Sequence, residues 1–491
     1  MKNRANVLVV GAGPVGLLTA ALLTHYGVSM RIIDKRSDPT KTSNAVAVHA
    51  RTLELFNTLD LSEKFINTGR LIKSMELYSC LKHFASIDFK FIGSQYDFVC
   101  CIPQSQTERL LIEYLANRGI QVEREVEVIN IEKDVAQSVT VVTNKETIVA
   151  DWVVACDGYH SVIRQVLDIP YEGKDLELKF IMIDSPIDWQ YSLDSMYTGL
   201  NEQLSVMLFP MQNSVRIMAE VSHSIEFNNA EPNEDIFMQI FKRCLPGDIK
   251  IHKPLWSSKF WIHERLATNY VKGRVLLAGD AAHVHSPAGG QGMNTGMQDA
   301  FNLSWKLALI INGGAGETLL QSYQQERRPV AQKVLASTTH MTKSVLSKNK
   351  ILNKIRNILM SLITKPSIIQ RKITSFISET AINYETSSIV LGHSINGLKP
   401  GDRLPCFVKN NVKHLIIDFS GNAKSVLNDD KFITVINASE VNLPSELNNI
   451  KEGYCVLRPD FYIGYLGNDL LEVQQYIKKV ASLSYNNGNK D

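Results

Sequence analysis

The sequence predicts an α/β fold that opens with a strand, a glycine-rich turn, a helix and a second strand. Residues 6–10 form an apolar run typical of a strand buried on both faces, and GAGPVG follows at residues 11–16. Residues 17–26 then have the apolar density of a packed helix, which Gly27 ends. Residues 30–33 are the next strand, so the segment predicts a Rossmann-type unit that binds a dinucleotide.

Further along the chain, two kinds of pattern alternate. Short alternating stretches predict antiparallel strands, whereas apolar runs and helical periodicity predict more α/β structure. The segments expected to be antiparallel are 74–78, 84–91, 204–210 and 215–221, the last two around a Gln212-Asn213 turn. The other expected elements are a helix at 107–118, strands near 120–133, 138–143, 152–156 and 274–278, and a long helix at 292–311. We therefore expect an antiparallel sheet inserted into the α/β framework.

Length and composition limit the class of protein. A chain of 491 residues exceeds what one hydrophobic core organises, so two or three domains are expected. The net charge of +2 predicts no nucleic-acid partner. The seven cysteines are scattered, with no CxxC pair and no metal-ligand spacing. This pattern predicts a reducing compartment, no disulfide framework and no metal site.

The N-terminal apolar segment invites a second interpretation. Lys2 and Arg4 precede VLVVGAGPVGLLTAALL, which has the outline of a signal peptide. The glycine spacing and Pro14 favour a strand, turn and helix instead. No other run approaches the ~20 apolar residues of a membrane span. We therefore expect a cytoplasmic protein without a membrane span.

The residues of the first loop have the chemistry of a pyrophosphate site. Gly11 allows a tight turn, Gly13 lets the backbone approach the phosphates, and Gly16 permits close packing of the helix on the strand. Asp34 ends the second strand, where a carboxylate accepts hydrogen bonds from ribose hydroxyls. The cofactor-binding residues predicted here are Gly11, Gly13, Pro14, Val15, Gly16, Asp34 and Lys35. This loop alone does not separate NAD from FAD.

A second segment, GRVLLAGDAAHVHSPAGGQGMNTGMQD at residues 273–299, favours FAD. An acidic residue after a buried strand can bind the polyol chain of a flavin, and a glycine-rich loop lets backbone approach a flat ring. A helix N-terminus at that ring stabilises the anionic reduced flavin by about 0.3–1 kcal/mol. The residues predicted to contact FAD here are Gly279, Asp280, Pro287, Gly290, Gln291, Gly292, Met293 and Asn294.

These motifs, taken together, resemble those of the class A flavoprotein monooxygenases, the family of para-hydroxybenzoate hydroxylase and phenol hydroxylase. The family's motifs occur in order: the glycine loop, an RTLE helix at 51–54, a glutamine at Gln104, a DG motif at Asp157-Gly158 and the GD motif at 279–280. The resemblance adds Arg51, Gln104, Asp157 and Gly158 to the cofactor site. It also implies that Asp280 holds the ribityl chain, that Pro287 lies near the flavin ring, and that Asp157 and Arg164 serve both FAD and NAD(P)H.

The resemblance implies an FAD-dependent monooxygenase that uses NADPH or NADH and O2. Its substrate would be an aromatic or polyketide-like small molecule, hydroxylated through a flavin C4a-hydroperoxide. The resemblance also implies that NAD(P)H binds transiently, which agrees with the absence of a second Rossmann fingerprint in the sequence. No catalytic side chain is assigned. The resemblance gives His283 a mainly structural place, and direct proton transfer by His283 or His285 is disfavoured. The alternatives are a flavin-dependent oxidase or dehydrogenase, a Baeyer–Villiger or antibiotic-inactivating monooxygenase, and a non-catalytic flavin sensor. A flavin halogenase is disfavoured because its WxWxIP segment is absent.

One position departs from the family pattern. Relatives carry SRAVGLHART where this chain has SNAVAVHART, so Asn44 replaces an arginine used near the flavin and the pyridine nucleotide. We expect this change to bear on the strength of NAD(P)H binding and on the choice between NADPH and NADH. Asp34, where many relatives have glutamate, is a milder change.

Three domains are predicted. The FAD-binding domain comprises 1–71, 104–175 and 265–385, and the substrate-binding domain comprises 72–103 and 176–264. Substrate contacts are expected from the antiparallel sheet, with Met207, Phe209, Arg216 and Met218 as candidates. Residues 386–491 resemble a thioredoxin-like domain through PGDRLP at 400–405 and LRPDFY at 457–462, with residues 399–401 as a linker. This domain has no CxxC, so a structural or homodimer-supporting role is expected.

Residues 327–378 contain many basic residues and no acidic one. Helices that pack one face on a neighbouring domain and expose the other explain the apolar spacing, and we favour this interpretation. The alternative is an amphipathic contact with a membrane or a partner.

Overall fold

A computed structural model describes residues 3–40, 45–132, 137–287, 289–345, 350–405, 408 and 412–481. Asn44, the position that departs from the family pattern, lies outside the described residues.

The strands are numbered in chain order. The first eleven are β1 Arg4–Val10, β2 Met30–Asp34, β3 Ala47–Val48, β4 Arg70–Ile72, β5 Ser74–Ser79, β6 Lys82–Asp88, β7 Val99–Cys101, β8 Glu123–Arg124, β9 Val128–Ile131, β10 Val139–Thr143 and β11 Thr147–Ala155. The next ten are β12 Tyr171–Ser185, β13 Ile187–Trp189, β14 Ser195–Leu200, β15 Ser205–Pro210, β16 Val215–Glu220, β17 Ile249–Ile251, β18 Trp256–Ala267, β19 Val271–Lys272, β20 Val275–Leu277 and β21 His283–Val284. The last five are β22 Leu391–Gly392, β23 His414–Asp418, β24 Ile433–Asn437, β25 Tyr454–Leu457 and β26 Ile463–Gly467.

The α-helices follow the same convention. They are α1 Pro14–His25, α2 Ala50–Phe56, α3 Ser62–Thr68, α4 Gln104–Ala116, α5 Val162–Val166, α6 Glu234–Cys244, α7 Gly292–Ile311, α8 Gln321–Val345, α9 Lys350–Ile363, α10 Ser367–Ile377 and α11 Leu470–Ala481. The helix predicted at 292–311 is confirmed at both ends. In the described part of the chain, no helix combines the length and the apolar character needed to cross a membrane.

The first sheet is the predicted Rossmann-type framework. Its strand order is β19-β20-β11-β1-β2-β8, with β10 and β9 attached beside β11. Strands β20, β11, β1, β2 and β8 pair in parallel, and Val7, Leu8 and Val9 are fully buried in the centre. The glycine loop leaves the carboxyl end of β1, where parallel sheets of this kind bind their ligands. Helices α1 and α7 pack against each other beside it.

The second sheet is the predicted antiparallel insertion. Its order is β21-β18-β12-β16-β15-β14-β5-β6, and its pairs are antiparallel except β14 with β5. The strand expected at 84–91 ends at Asp88, and a 3₁₀ turn follows at Phe89–Phe91. Strands β12 and β18 run across the expected domain borders at 175/176 and 264/265. The two long strands therefore connect the framework and the insertion without a break.

The C-terminal segment forms a sheet of its own, with the order β22-β26-β25-β23-β24 and helix α11 after the last strand. The linker predicted at 399–401 is wrong. Pro400 and Gly401 are buried in a turn, Gly401 N donates to Ile463 O (2.7 Å), and β22 already belongs to this sheet. Proline and glycine here form a tight turn within the unit. The thioredoxin-like assignment stays a prediction.

A buried ionic network joins this C-terminal unit to α7 and α8. Glu326 accepts hydrogen bonds from Arg458 (2.7 and 2.9 Å) and from Lys306 (2.7 Å), and Arg458 also pairs with Asp460 (2.6 Å). Burial opposes ionisation of Glu326, but Arg458 and Lys306 outweigh it and hold the pKa of Glu326 well below its usual range. The four side chains are nearly or completely inaccessible to solvent.

The packing favoured for the basic segment 327–378 is wrong for α9. Helix α9 packs beside β6, but its regularly spaced apolar side chains, such as Ile358 and Leu362, are about half exposed, at 52% and 55%. Thr364, just after the helix, is buried instead. The sequence predicted an amphipathic helix, and α9 is one, but its apolar side faces away from the protein.

Candidate active site

A cavity of about 700 Å³ lies between the carboxyl edge of the first sheet and one face of the antiparallel sheet. Fourteen of the nineteen predicted cofactor residues line it: Gly11, Gly13, Pro14, Val15, Asp34, Lys35, Gln104, Asp157, Gly158, Asp280, Pro287, Gly290, Gly292 and Met293. The structure therefore brings three separated motifs together in one cavity.

The three glycines of the first loop face different neighbours. Gly11 has φ +99°, and a Cβ there would overlap the carbonyl oxygen of Cys156. A Cβ at Gly16 would overlap the carbonyl oxygen of Gly11, so Gly16 allows α1 to pack tightly on the loop. Gly13 is different, because a Cβ there would meet no protein atom within 4 Å. Gly13 thus borders open cavity, where a ligand can approach the backbone.

The N-terminus of helix α1 and the carboxylate of Asp34 lie beside this loop. Helix α1 begins after Gly13 with no side-chain cap, so its first N–H groups are available to an anion in the cavity. The carboxylate of Asp34 accepts hydrogen bonds from Ala12 N (2.5 Å) and Arg36 N (2.8 Å), and Arg124 lies 3.7 Å away. These contacts hold Asp34 at the end of β2, between the loop and the cavity.

The DG motif contributes a carboxyl with one oxygen that accepts no hydrogen bond from the described part of the chain. Asp157 Oδ2 accepts a hydrogen bond from Ile163 N (3.3 Å), whereas Oδ1 has no partner among the described residues. Burial raises the pKa of Asp157, although Ser161 and backbone N–H groups oppose the shift. Arg164 stacks on Tyr171 (3.8 Å) and donates to Ala281 O (3.0 Å), so it ties the DG turn to the GD turn.

The GD motif supplies a second carboxyl that points into the cavity. Asp280 is exposed to this space, and the pKa of its carboxyl is raised by the surrounding protein, which His283 partly offsets. His283 bonds to Asp299 (2.6 Å), which Arg327 also contacts (2.7 Å). Burial would raise the pKa of Asp299, but His283 and Arg327 hold it below its usual value. His283 therefore has the structural position expected for it.

The N-terminus of α7 also opens on the cavity. It begins at Gly292 without a side-chain cap, and Met293 lines the cavity beside it. Nearby, His285 Nδ1 donates to Ser286 O (2.9 Å), and burial lowers the pKa of His285 to about 4. His285 is thus neutral at pH 7, and its Nε2, which has no partner in the described part of the chain, is a hydrogen-bond acceptor.

Five predicted cofactor residues lie behind the cavity wall: Gly16, Arg51, Gly279, Gln291 and Asn294. Arg51 is completely buried, paired with Glu54 (3.0 Å), and donates to Asp460 O (2.7 Å) in the C-terminal unit. Asn294 joins α7 to the loop before α2, because it accepts from His49 N and donates to Ala47 O, both at 2.9 Å.

Protein contacts also hold Gln291 and Gly279. The Gln291 side chain donates to Phe376 O (3.0 Å), and the Gly279 backbone N donates to Asp299 (3.2 Å). Gln104 lines the cavity, but its amide is occupied by Ala45 N (3.3 Å) and Glu108 (3.0 Å). These motif residues therefore shape the wall from behind or from its edge.

The opposite wall of the cavity is mostly apolar. Its side chains come from β12, β15, β16 and β18: Met182, Phe209, Met218, Phe260 and Ile262. Arg216 lies among them and makes a bidentate ion pair with Asp184, with both contacts at 2.8 Å. Phe209, Arg216 and Met218 were expected from the sequence, whereas Met207 packs in the same apolar cluster without lining the cavity.

An aromatic group at the cavity was missed from the sequence. Tyr159 stacks on His263 with ring centroids 5.0 Å apart, and His160 packs edge-on against Tyr159. All three side chains line the cavity. Tyr159 and His160 follow the DG motif directly, so their position was readable, but the contact with β18 depends on the tertiary fold.

The residues present fit a dinucleotide that carries a flat ring. Two uncapped helix N-termini suit a pyrophosphate and an anionic ring, and the open space at Gly13 suits close approach of phosphate. The unpartnered polar atoms of Asp157 and His285 are acceptors for hydroxyl or amide hydrogens. The apolar wall beyond them leaves room for a second molecule.

Comparison with known proteins agrees with this geometry. Residues 4–338 match the family described as FAD binding domain. The chain is 30% identical over 485 residues to a rifampicin monooxygenase of Streptomyces venezuelae, covering 95% of this chain and 97% of the relative. It belongs to the class A flavin-dependent monooxygenases. Its cofactor is FAD, as predicted, and the α/β framework with an inserted antiparallel sheet is confirmed.

Two further similarities agree with this family. The monooxygenase is 34% identical over 360 residues to a pentachlorophenol 4-monooxygenase of Sphingobium chlorophenolicum, covering 70% of this chain and 66% of the relative. It also resembles the solved structure of an anhydrotetracycline hydroxylase from Streptomyces rimosus. That similarity has a TM-score of 0.78 and 25% identity, and it covers 98% of this chain and 99% of the other.

Proposed function

We propose that this monooxygenase hydroxylates an aromatic or polyketide-like small molecule in the cavity, with O2 and a transiently bound NADPH or NADH as co-substrates. The observation that carries the proposal is that one cavity is lined both by Gly13 of the first loop and by Met218 of the antiparallel sheet. Relatives named for rifampicin and for pentachlorophenol support a substrate of this chemical class.

The cofactor-facing residues have distinct roles in this proposal. The backbone at Gly13 and the N-terminus of α1 hold the pyrophosphate, Asp34 holds a ribose, and Asp280 holds the ribityl chain. FAD, when bound, supplies the oxygen-activating chemistry that no side chain can supply. The N-terminus of α7 stabilises negative charge at the flavin ring by about 0.3–1 kcal/mol, and more where water is excluded.

The substrate-facing residues orient the molecule and keep water out. Phe209, Met218 and Phe260 present apolar surface to a flat ring, and the paired Arg216 and Asp184 form a polar point in that wall. We propose that the antiparallel insertion is the substrate domain and that 386–491 form a separate C-terminal domain. The protein would work as a cytoplasmic enzyme.

The test is substrate-dependent oxidation of NADPH and NADH by the holoenzyme. Phenols, anthraquinones, tetracyclines and rifamycins form the panel, with oxygen consumption and product masses recorded for each. We expect at least one class to stimulate both consumptions and to give a product heavier by one oxygen atom. Flavin-linked dehydrogenation without oxygenated product would identify a dehydrogenase or oxidase. A product in which a ring ketone has become a cyclic ester would identify a Baeyer–Villiger reaction.

A cavity-filling variant tests the placement of the substrate. Met218→Trp puts a large side chain into the far end of the cavity, away from the glycine loop. We expect FAD content to stay unchanged while substrate-stimulated NAD(P)H oxidation falls by at least about tenfold, the effect of losing 1.4 kcal/mol of substrate interaction. Loss of FAD together with activity would contradict the assignment of Met218 to the substrate-facing part of the cavity.

A further inference from the structure

A basic and apolar surface lies on α9 and α10, outside the active site. We call it the α9–α10 surface. Its exposed apolar side chains are Ile355, Ile358, Leu359, Leu362, Ile363, Ile368 and Phe376. Their exposed fractions range from 41% at Phe376 to 71% at Ile368, and these seven large apolar side chains lie on two successive helices, unlike the single apolar residues scattered over an ordinary surface.

Helix α9 is oriented with an apolar side away from the protein. Positions 355, 358, 359 and 362 follow the spacing of one helical face, and all four are exposed. Helix α10 buries Gln370, Thr374 and Ile377, and Gln370 donates to Ser86 O (2.8 Å) on strand β6, whereas Ile368 and Phe376 are exposed. An amphipathic helix in water normally buries its apolar side, so this orientation indicates that another apolar phase covers it.

Positive charge surrounds the apolar side chains. Residues 350–378, which carry α9 and α10, contain six lysines and arginines and no acidic residue, although the whole chain carries a net charge of only +2. The described basic side chains that are exposed on α9, α10 and the turn between them are Lys354, Lys365, Arg371 and Lys372. The surface therefore combines apolar anchors with cations, which is the composition of helices that lie in a membrane interface.

We propose that the α9–α10 surface docks the protein on a lipid bilayer that contains anionic headgroups. The isoleucine and leucine side chains enter the boundary between headgroups and acyl chains, and the lysines and arginines stay among the headgroups. The helices lie in the plane of the bilayer and do not span it. A second copy of the chain is a poorer occupant, because a twofold interface would place the same basic rim against itself.

Flotation of the FAD-loaded protein with vesicles tests the proposal. One set contains three parts phosphatidylcholine to one part phosphatidylglycerol, and the other contains phosphatidylcholine alone. We expect binding to the anionic vesicles that weakens with added salt and that exceeds binding to the neutral vesicles. Neutralising Lys365, Arg371 and Lys372 with glutamine should weaken partitioning by about fivefold per charge removed.

Two matched variants separate the apolar contribution. Leu359→Glu with Leu362→Glu places charges on the surface and should abolish binding, whereas Ile225→Glu changes an isolated side chain that is 99% exposed elsewhere and should not. Unchanged FAD absorbance and circular dichroism establish that both variants fold. Failure of the parent protein to bind anionic vesicles at low salt would overturn the proposal. A dimer in sedimentation that the leucine variant dissociates, without vesicle binding, would assign the surface to a second copy.

Discussion

The active-site cavity and the interface with the C-terminal unit both contain ionisable side chains, but the partners of these side chains differ between the two regions. At the interface, Glu326 contacts two cations, Lys306 and Arg458. In the cavity, Asp157 and Asp280 have no ion-pair partner among the described residues, and the surrounding protein raises the pKa of both carboxyls, although Asp280 is exposed to the cavity. Charged side chains that are fully paired with one another stabilise the fold. Polar side chains without a protein partner mark positions where a ligand can bind.

The largest expected effect comes from opening the closed network. Glu326→Gln leaves Lys306 buried without its main counter-charge and leaves Arg458 with Asp460 alone, which costs about 3–5 kcal/mol of folding free energy. We expect a large fall in the midpoint of thermal unfolding, followed by far-ultraviolet circular dichroism. The surface pair of Lys399 and Glu385, 3.5 Å apart and about half exposed, provides the control. Glu385→Gln should change the free energy by less than about 1 kcal/mol, and equal effects of the two variants would contradict the comparison.

A second buried carboxyl, that of Glu379, lies beside the interface. Unlike Glu326, it has no cation in direct contact among the described residues. Glu379 accepts hydrogen bonds from Thr295 and Gln298, and burial raises its pKa from 4.5 to about 7. The folded protein therefore holds a proton that the unfolded chain releases. The stabilisation is complete below pH 4.5 and is lost as the pH rises through about 7.

Glu379→Gln tests this sign. A shift of this size corresponds to about 3 kcal/mol, so the stability of the parent protein should fall relative to the variant between the two pKa values. Chemical unfolding of both proteins across this pH window measures the difference. A difference that stays constant with pH, or that favours the parent protein as the pH rises, would show that Glu379 is ionised throughout.

The smallest of these effects separates the two kinds of glycine in the first loop. Gly13→Ala adds a methyl group where no protein atom lies within 4 Å, so apoprotein stability should be unchanged while the Kd for FAD rises by at least about tenfold, or 1.4 kcal/mol. Gly16→Ala forces its Cβ onto the Gly11 carbonyl and should destabilise the apoprotein itself by about 1–3 kcal/mol. Titration with FAD and unfolding without it measure the two quantities. Equal losses of apoprotein stability would contradict the open space at Gly13.

The sequence predicted the parts that depend on local spacing. The glycine loop, helix 292–311 and the position of Asp280 after a buried strand are encoded in neighbouring residues, so they could be recognised without the fold. The role of Arg51 could not, because its partner Asp460 lies 409 residues away. The same holds for Tyr159 and His263, which meet only when β18 crosses the DG turn.

The orientation of α9 shows a further limit of sequence patterns. Apolar spacing predicts that a helix has two sides, but it does not say which side faces the protein. Here the side with Ile358 and Leu362 faces outward, and the neighbouring Thr364 is buried. The contact of α9 with β6 and the exposed side chains show which side faces outward, and the pattern alone could not.

Transfer of isotopically labelled oxygen tests whether the protein inserts an atom of dioxygen into its substrate. The FAD-loaded protein, NAD(P)H and a substrate that stimulates its oxidation are incubated under labelled dioxygen in ordinary water, and the product is analysed by mass spectrometry. We expect one labelled oxygen atom in the product, bonded to the ring. A product that carries oxygen from water, or a product without added oxygen, would contradict it.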